Sequence, residues 1–256
     1  MLKRLFIFAY GLVCYAVFLA TFLYALGFVG NFGVPHSIDG EPRMYFSTAL
    51  LIDLTLLGIF AIQHSLMARP YFKQWLTQFI PASAERSTYV LFSSLALIAL
   101  FAWWEPIGGM VWDVADPVSR VVLYSLFAFG WGLVLLSTFL INHFDLFGLR
   151  QIWLQLRGQP YTALQFGTPG PYRLIRHPLY LGWLCAFWAT PTMSVTHLVF
   201  ALATTAYILI AIQLEEGDLI VSLGDDYLRY RERVPMIIPF LRRRTLPGSA
   251  RPRATN

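Results

Sequence analysis

Five apolar runs, nearly free of charge, constrain this chain more than any other feature. They cover residues 5–29, 46–67, 89–104, 121–141 and 179–214. A helix needs about 20 mostly apolar residues to cross the hydrocarbon of a bilayer. The chain is 57% hydrophobic and 13% charged, whereas soluble domains carry roughly a quarter charged residues. One water-soluble core of 256 residues cannot hide that much apolar surface. The expected fold is an all-α membrane protein of about five transmembrane helical blocks. The last block is too long for one simple span and contains Pro191, which interrupts a helix. It reads as one long kinked helix or as a hairpin.

Basic residues orient the runs. Segments 68–88 and 142–177 carry three and four Lys or Arg, the N-terminus two and the tail from Glu215 eight. Segment 30–45 carries only Arg43, and segment 105–119 carries none but has Glu105, Asp113 and Asp116. Positive charge marks the cytosolic side. Both termini are therefore expected in the cytosol, which favours the hairpin for the fifth block, with a bacterial inner membrane as the location. Residues 1–145 are expected to form a transmembrane bundle. Residues 146–256 add a cytosolic loop, the membrane hairpin and a C-terminal cofactor-binding segment, all in one integrated domain. The stretch 242–256, with Arg242, Arg243 and Arg244, reads as a tail against anionic headgroups or as a plain solubilising end.

Composition excludes several functions. The net charge of +5 comes from residues at membrane edges and is no nucleic-acid signal. Cys14 and Cys185 lie inside apolar runs and read as packing residues. The five histidines are scattered without metal-ligand spacing, so no metal is expected. The chain has no G-x-G-x-x-G loop and no P-loop, so a nucleotide-like cofactor needs another device. Trp103, Trp104 and Trp112 read as an outer-face aromatic belt.

The informative residues flank the fifth run. Before it come Gly170-Pro171-Tyr172, Arg173, Arg176-His177-Pro178, Tyr180 and Gly182; after it come Glu215-Glu216, Leu219, Gly224, Tyr227, Tyr230 and Val234-Pro235. A hairpin returns both halves to one membrane face. Pro178 suits a first helical turn, where its missing N–H costs nothing. His177 then sits at the cap, where backbone N–H groups face a bound carboxylate. Arginines grip such a carboxylate bidentately, a glutamate accepts from ribose hydroxyls, and tyrosine faces suit a sulfonium cation. Glu216, the nearer to the cytosolic segment, is the expected ligand contact of the pair.

The pattern G-P-Y-x-x-x-R-H-P-x-Y-x-G, E-E-x-x-L and G-x-x-Y-x-x-Y-x-x-x-V-P over residues 170–235 resembles the integral membrane methyltransferases related to isoprenylcysteine carboxyl methyltransferase. Gly217-Asp218 departs from the acidic motif, while Leu219 keeps its place. The resemblance implies an S-adenosylmethionine pocket lined by Arg173, His177, Tyr180, Glu216 and Tyr230. Arg176, Pro178, Gly182, Glu215 and Tyr227 are expected with them, and S-adenosylhomocysteine is the expected product. The segments 31–39, Gln63-His64-Ser65 and 142–150 resemble a bacterial branch, the methanethiol S-methyltransferases, which implies methanethiol as a small thiol substrate and dimethyl sulfide as product. NnrU-like membrane proteins share the Gln-His-Ser neighbourhood and leave a non-enzymatic accessory role open. Another lipid or thiol acceptor also remains open, as does a membrane reductase akin to the sterol reductases.

Two histidines are candidates for removing the thiol proton. His143, with Asp145 as its orienting carboxylate, follows the fourth run; His64 lies near the end of the second. Asp53 shares a helix face with His64. Because a carboxylate inside a span is costly, Asp53 is expected to face the bundle interior and to have a partner. His36 and His197 receive no role. The oligomeric state is not readable from the sequence.

Overall fold

The computed structural model describes residues 1–239. The expectation for the tail at 242–256 lies outside the described residues. In chain order the elements are α1 (Leu2–Gly30), α2 (Phe46–Ala68), α3 (Pro70–Leu76), α4 (Glu85–Trp103), β1 (Met110–Asp113) and α5 (Pro117–Ile141). They continue with α6 (His143–Leu146), α7 (Leu149–Arg157), α8 (Pro178–Trp188), β2 (Thr192–Ser194), α9 (Val195–Leu223) and α10 (Asp225–Arg233). Helices α1, α2, α5 and α9, and α4 with the one-turn helix Ala82–Ala84 before it, are long and apolar enough to cross a membrane. The protein is an all-α, multi-pass membrane protein.

Local chemistry sets the helix ends. Asn31 adopts the left-handed conformation (φ 58°) and returns its N–H to Gly27, ending α1. Asp116 caps α5 by accepting the Ser119 N–H at 2.7 Å, with Pro117 in the first turn. Ser194 does the same for α9 through the His197 N–H at 2.9 Å.

The fifth run is a hairpin. α8 has 11 residues and spans only about 16 Å, so it does not cross a bilayer alone. The chain turns at 189–194, where β2 pairs antiparallel with β1 from the loop between α4 and α5. This ties the hairpin tip to the membrane face opposite the N-terminus. α9 then returns as one continuous helix through Leu223. Glu215, Glu216 and Asp218 therefore ride on its last turns rather than on a separate segment. The helix ends place the N-terminus, α3, α6, α7, the start of α8 and α10 on one face, the N-terminal face.

α5 and α8 meet backbone to backbone. A Cβ on Gly130 would lie 2.6 Å from the Ala186 nitrogen, and one on Gly182 would lie 2.8 Å from the Gly130 oxygen. Gly182 thus serves close helix packing, which differs from its expected place against a cofactor. The core behind this crossing gathers Phe28, Leu57, Leu100, Trp104, Trp131 and Phe200 from five helices. Trp104 is 3% exposed and its indole N–H donates to the Ile38 carbonyl, so it belongs to the core and not to an aromatic belt. Trp103, 64% exposed, does face outward. Asp53 is fully buried and accepts the Glu105 N–H at 2.9 Å.

Candidate active site

The two motif halves close on each other at the N-terminal face. The backbone N–H groups of Arg176 and His177 donate to the carbonyls of Pro235 and Met236 at 2.9 and 3.1 Å. This pins the chain entering α8 to the chain leaving α10. One buried oxygen, Oε1 of Glu216, accepts from Arg176 Nε at 2.8 Å and lies 3.0 Å from His177 Nε2. Arg176 Nη1 donates to the carbonyls of Arg231 and Val234. The sequence suggested that Arg176 grips a ligand carboxylate and that Glu216 contacts ribose. In the structure the two pair with each other and form one wall of the site.

Their neighbours are more open. Glu215 is 47% exposed at its side chain and lies 3.9 Å from His177 Nδ1. Successive helical residues point about 100° apart, so Glu215 looks outward where Glu216 looks in. Arg173 is exposed, and its Nε donates to the Thr168 carbonyl at 3.3 Å. The Tyr180 ring lies 5.5 Å from that of His177. Pro178 is buried at the first turn of α8.

Aromatic residues close the site from above. Tyr230 donates to the Tyr172 carbonyl at 2.6 Å, and Phe166 meets Tyr227 and Tyr230 edge to face. Burial pushes the Tyr230 phenol up to about 12. Burial first, then the charge of Glu215, raises Tyr172; burial first, then Glu216, raises Tyr227. All three stay neutral near pH 7 and act as hydrogen-bonding groups. The Tyr227 hydroxyl is buried and finds no partner among the described residues.

His143 sits beside this assembly, just past α5. It is 4% exposed and stacks on Phe139 at 4.4 Å. Its Nδ1 lies 2.9 Å from the Thr138 hydroxyl, and its Nε2 lies 2.8 Å from that of Tyr15 on α1. Asp145 does not orient it. That carboxylate pairs with Arg150 at 2.9 Å and accepts from Tyr161 at 3.3 Å, so the expected His–carboxylate couple is replaced by a His between two hydroxyls. A cavity of about 380 Å³ opens here, lined among others by Phe139, Leu140, Asn142, His143, Phe144 and Leu164. Leu140 is also the side chain nearest Gly170, where the segment leading to Arg176 and His177 starts. His64, on α2, faces α4, with Ser93 at 3.1 Å and Tyr89 at 2.8 Å. Among the described residues no three His, Cys, Asp or Glu side chains gather as metal ligands.

A protein of Crocosphaera subtropica named methanethiol S-methyltransferase is 57% identical over 240 residues, covering 94% of each chain. One of that name from Mycobacterium tuberculosis is 50% identical over 244 residues, covering 95% of this chain and 100% of its own. The chain belongs to the methanethiol S-methyltransferase family. A more distant relative is nurim of Bos taurus, 29% identical over 207 residues, 76% of this chain and 78% of its own. No protein-family model matches the chain, and no solved structure matches it significantly.

For a member of this family, sequence reasoning passed over Tyr15, Thr138 and Phe166. Tyr15 carried a usable signal, because a hydroxyl inside an apolar span needs a partner. Nothing local tells which partner, since His143 is 128 positions away.

Proposed function

We propose that the protein methylates methanethiol to dimethyl sulfide, with S-adenosylmethionine as methyl donor, at a site on the N-terminal face. We read that face as cytosolic, in a bacterial inner membrane, from its excess of Lys and Arg. The observation that carries this reading is the closure of both halves of the cofactor motif on one buried carboxylate, Glu216, in a chain of this family.

The residues present fit such a donor. Arg173 offers an exposed guanidinium for its carboxylate. Glu215 offers an exposed carboxylate for ribose hydroxyls or an ammonium group. Tyr227 offers a buried hydroxyl without a partner, and the rings of Tyr180, Tyr227 and Tyr230 suit a cationic sulfur. His177 and Arg176 hold the wall on which these groups stand. When bound, S-adenosylmethionine would supply an activated methyl group to an acceptor thiolate attacking in line, with S-adenosylhomocysteine as the leaving group.

The thiolate, not the thiol, is the nucleophile, so the chain must remove a proton. Burial pushes the His143 imidazole down, which keeps it neutral near pH 7 and able to accept one. The cavity beside it, lined by Phe139, Leu140, Phe144 and Leu164 together with Asn142 and Gln165, has room for a small acceptor. Alignment of thiol and donor there supplies the larger part of the rate gain.

Purified protein with S-adenosylmethionine and methanethiol should release dimethyl sulfide into the headspace, measured by gas chromatography against a no-protein control. Donor binding by calorimetry without dimethyl sulfide would assign another acceptor. Absence of both would return the protein to an accessory role.

A further inference from the structure

Residues 158–169 link α7 to the short helix Gly170–Arg173 with no helix or strand of their own. A connection of that length in a compact fold is commonly a lid or a loose linker, and two ties set this one apart from a linker. At its start, Arg150 Nη1 and Nη2 donate to the Thr162 carbonyl and hydroxyl at 2.9 and 2.8 Å. Near its end, the Phe166 ring meets those of Tyr227 and Tyr230 at 6.2 and 5.7 Å. Between the ties, Leu164 and Gln165 line the cavity of about 380 Å³ whose other walls come from residues 139–144. One short stretch therefore touches both the acceptor cavity and the aromatic cover of the donor site. Two residues of chain reach about 7 Å at most, so Leu164 cannot hold its place if Phe166 moves far.

The stretch is also built to move. Among the described residues, positions 160–168 take part in no backbone-to-backbone hydrogen bond, which marks a segment of low local stability. Gly158 and Gly170 bound it in left-handed conformations, φ 69° and 52°, where glycine turns without strain. Leu164 and Phe166 remain 43% and 44% exposed, so closure has apolar surface left to bury. At roughly 30 Å³ per water, a thiol of two heavy atoms fills on the order of 100 Å³, so the open cavity holds such an acceptor loosely.

We propose that residues 159–166 are a strap that closes over the acceptor cavity when the donor binds, with Leu164 setting the size of acceptor that fits. An acceptor of two heavy atoms makes too few contacts to order the strap; the donor, with many more, is the ligand that can. Phe166 settles against Tyr227 and Tyr230 as the donor fixes those rings, and it draws Leu164 and Gln165 inward over Phe139 and Phe144. Closure excludes water from the thiolate and leaves a space matched to a methyl-bearing sulfur. The strap thus imposes an order, donor before acceptor.

This inference rests on the thiol-methylation reading, and hydrogen exchange separates the two because it needs no turnover. Wild-type protein in detergent is followed by mass spectrometry alone, with S-adenosylmethionine, and with methanethiol. Amides of residues 161–167 should exchange about tenfold more slowly with the donor and at their free rate with the thiol alone. Phe166→Ala should still bind the donor by calorimetry yet lose that protection. Leu164→Ala should raise the kcat/KM ratio of 1-propanethiol to methanethiol by about tenfold. Donor binding without protection of the strap, protection by the thiol alone, protection that survives Phe166→Ala, or an unchanged thiol ratio would each overturn the strap and leave the methylation reading intact. A strap that closes on the donor in a protein that releases no dimethyl sulfide would remove the acceptor and keep the strap. A protein that binds no S-adenosylmethionine overturns both.

Discussion

His177 and Glu216, 39 positions apart, meet through Nε2 and Oε1 at 3.0 Å, and the same oxygen holds Arg176 at 2.8 Å. A single carboxylate oxygen thus joins the helix entering the membrane hairpin to the helix leaving it. Glu216 is buried in this contact, and its neighbour Glu215 is exposed.

The two glutamates should separate experimentally. Side-chain exposures of 10% and 7% make Arg176–Glu216 a buried pair. Glu216→Gln leaves Arg176 without its counter-charge and should destabilise the protein by about 3–5 kcal/mol, seen as a lower melting midpoint in detergent. Glu215→Gln should melt like the wild type yet bind S-adenosylmethionine about tenfold more weakly, or ~1.4 kcal/mol. The reverse pattern, with Glu215 controlling stability, would discard this assignment.

The α5–α8 crossing makes a steric prediction. Gly130→Ala places a methyl 2.6 Å from the Ala186 nitrogen and 2.7 Å from the Gly182 oxygen, against backbone that has no rotamer to yield. A loss of about 1–3 kcal/mol is expected. Gly132→Ala, where nothing lies within 4 Å, should melt like the wild type. Equal midpoints for both variants would contradict the close packing.

Burial lowers the affinity of His143 for a proton in the folded state. The unfolded chain protonates first, near the ordinary histidine value of about 6.5. The contribution of His143 to stability is therefore fully present above that pH and falls away as pH drops below it toward the lowered folded-state value. The wild type should lose melting temperature on acidification through this window, and His143→Gln should lose less. Identical acid profiles would show that other groups set the acid limit.

Much of this protein is written locally. Each membrane helix is visible because lipid demands an unbroken apolar run; Asp116 and Ser194 mark helix starts by their side chains, and Asn31 marks an end by its left-handed backbone. The two segments that meet at Glu216 are legible for the same reason: the residues of each lie close together in sequence on one side of the hairpin.

What the tertiary structure alone decided are the pairings between distant positions. Helical geometry turns Glu216 inward and Glu215 outward, a difference that two identical adjacent letters do not show. Asp145 follows His143 by two residues but is claimed by Arg150 and Tyr161, leaving His143 to Tyr15, from a helix at the other end of the chain. Trp104 adjoins Trp103 yet turns into the core. Composition fixes which segments enter the membrane, because burial in lipid is a sum over residues; which side chains meet depends on helix rotation and crossing, set by contacts such as Gly130 on Gly182 that no local pattern encodes.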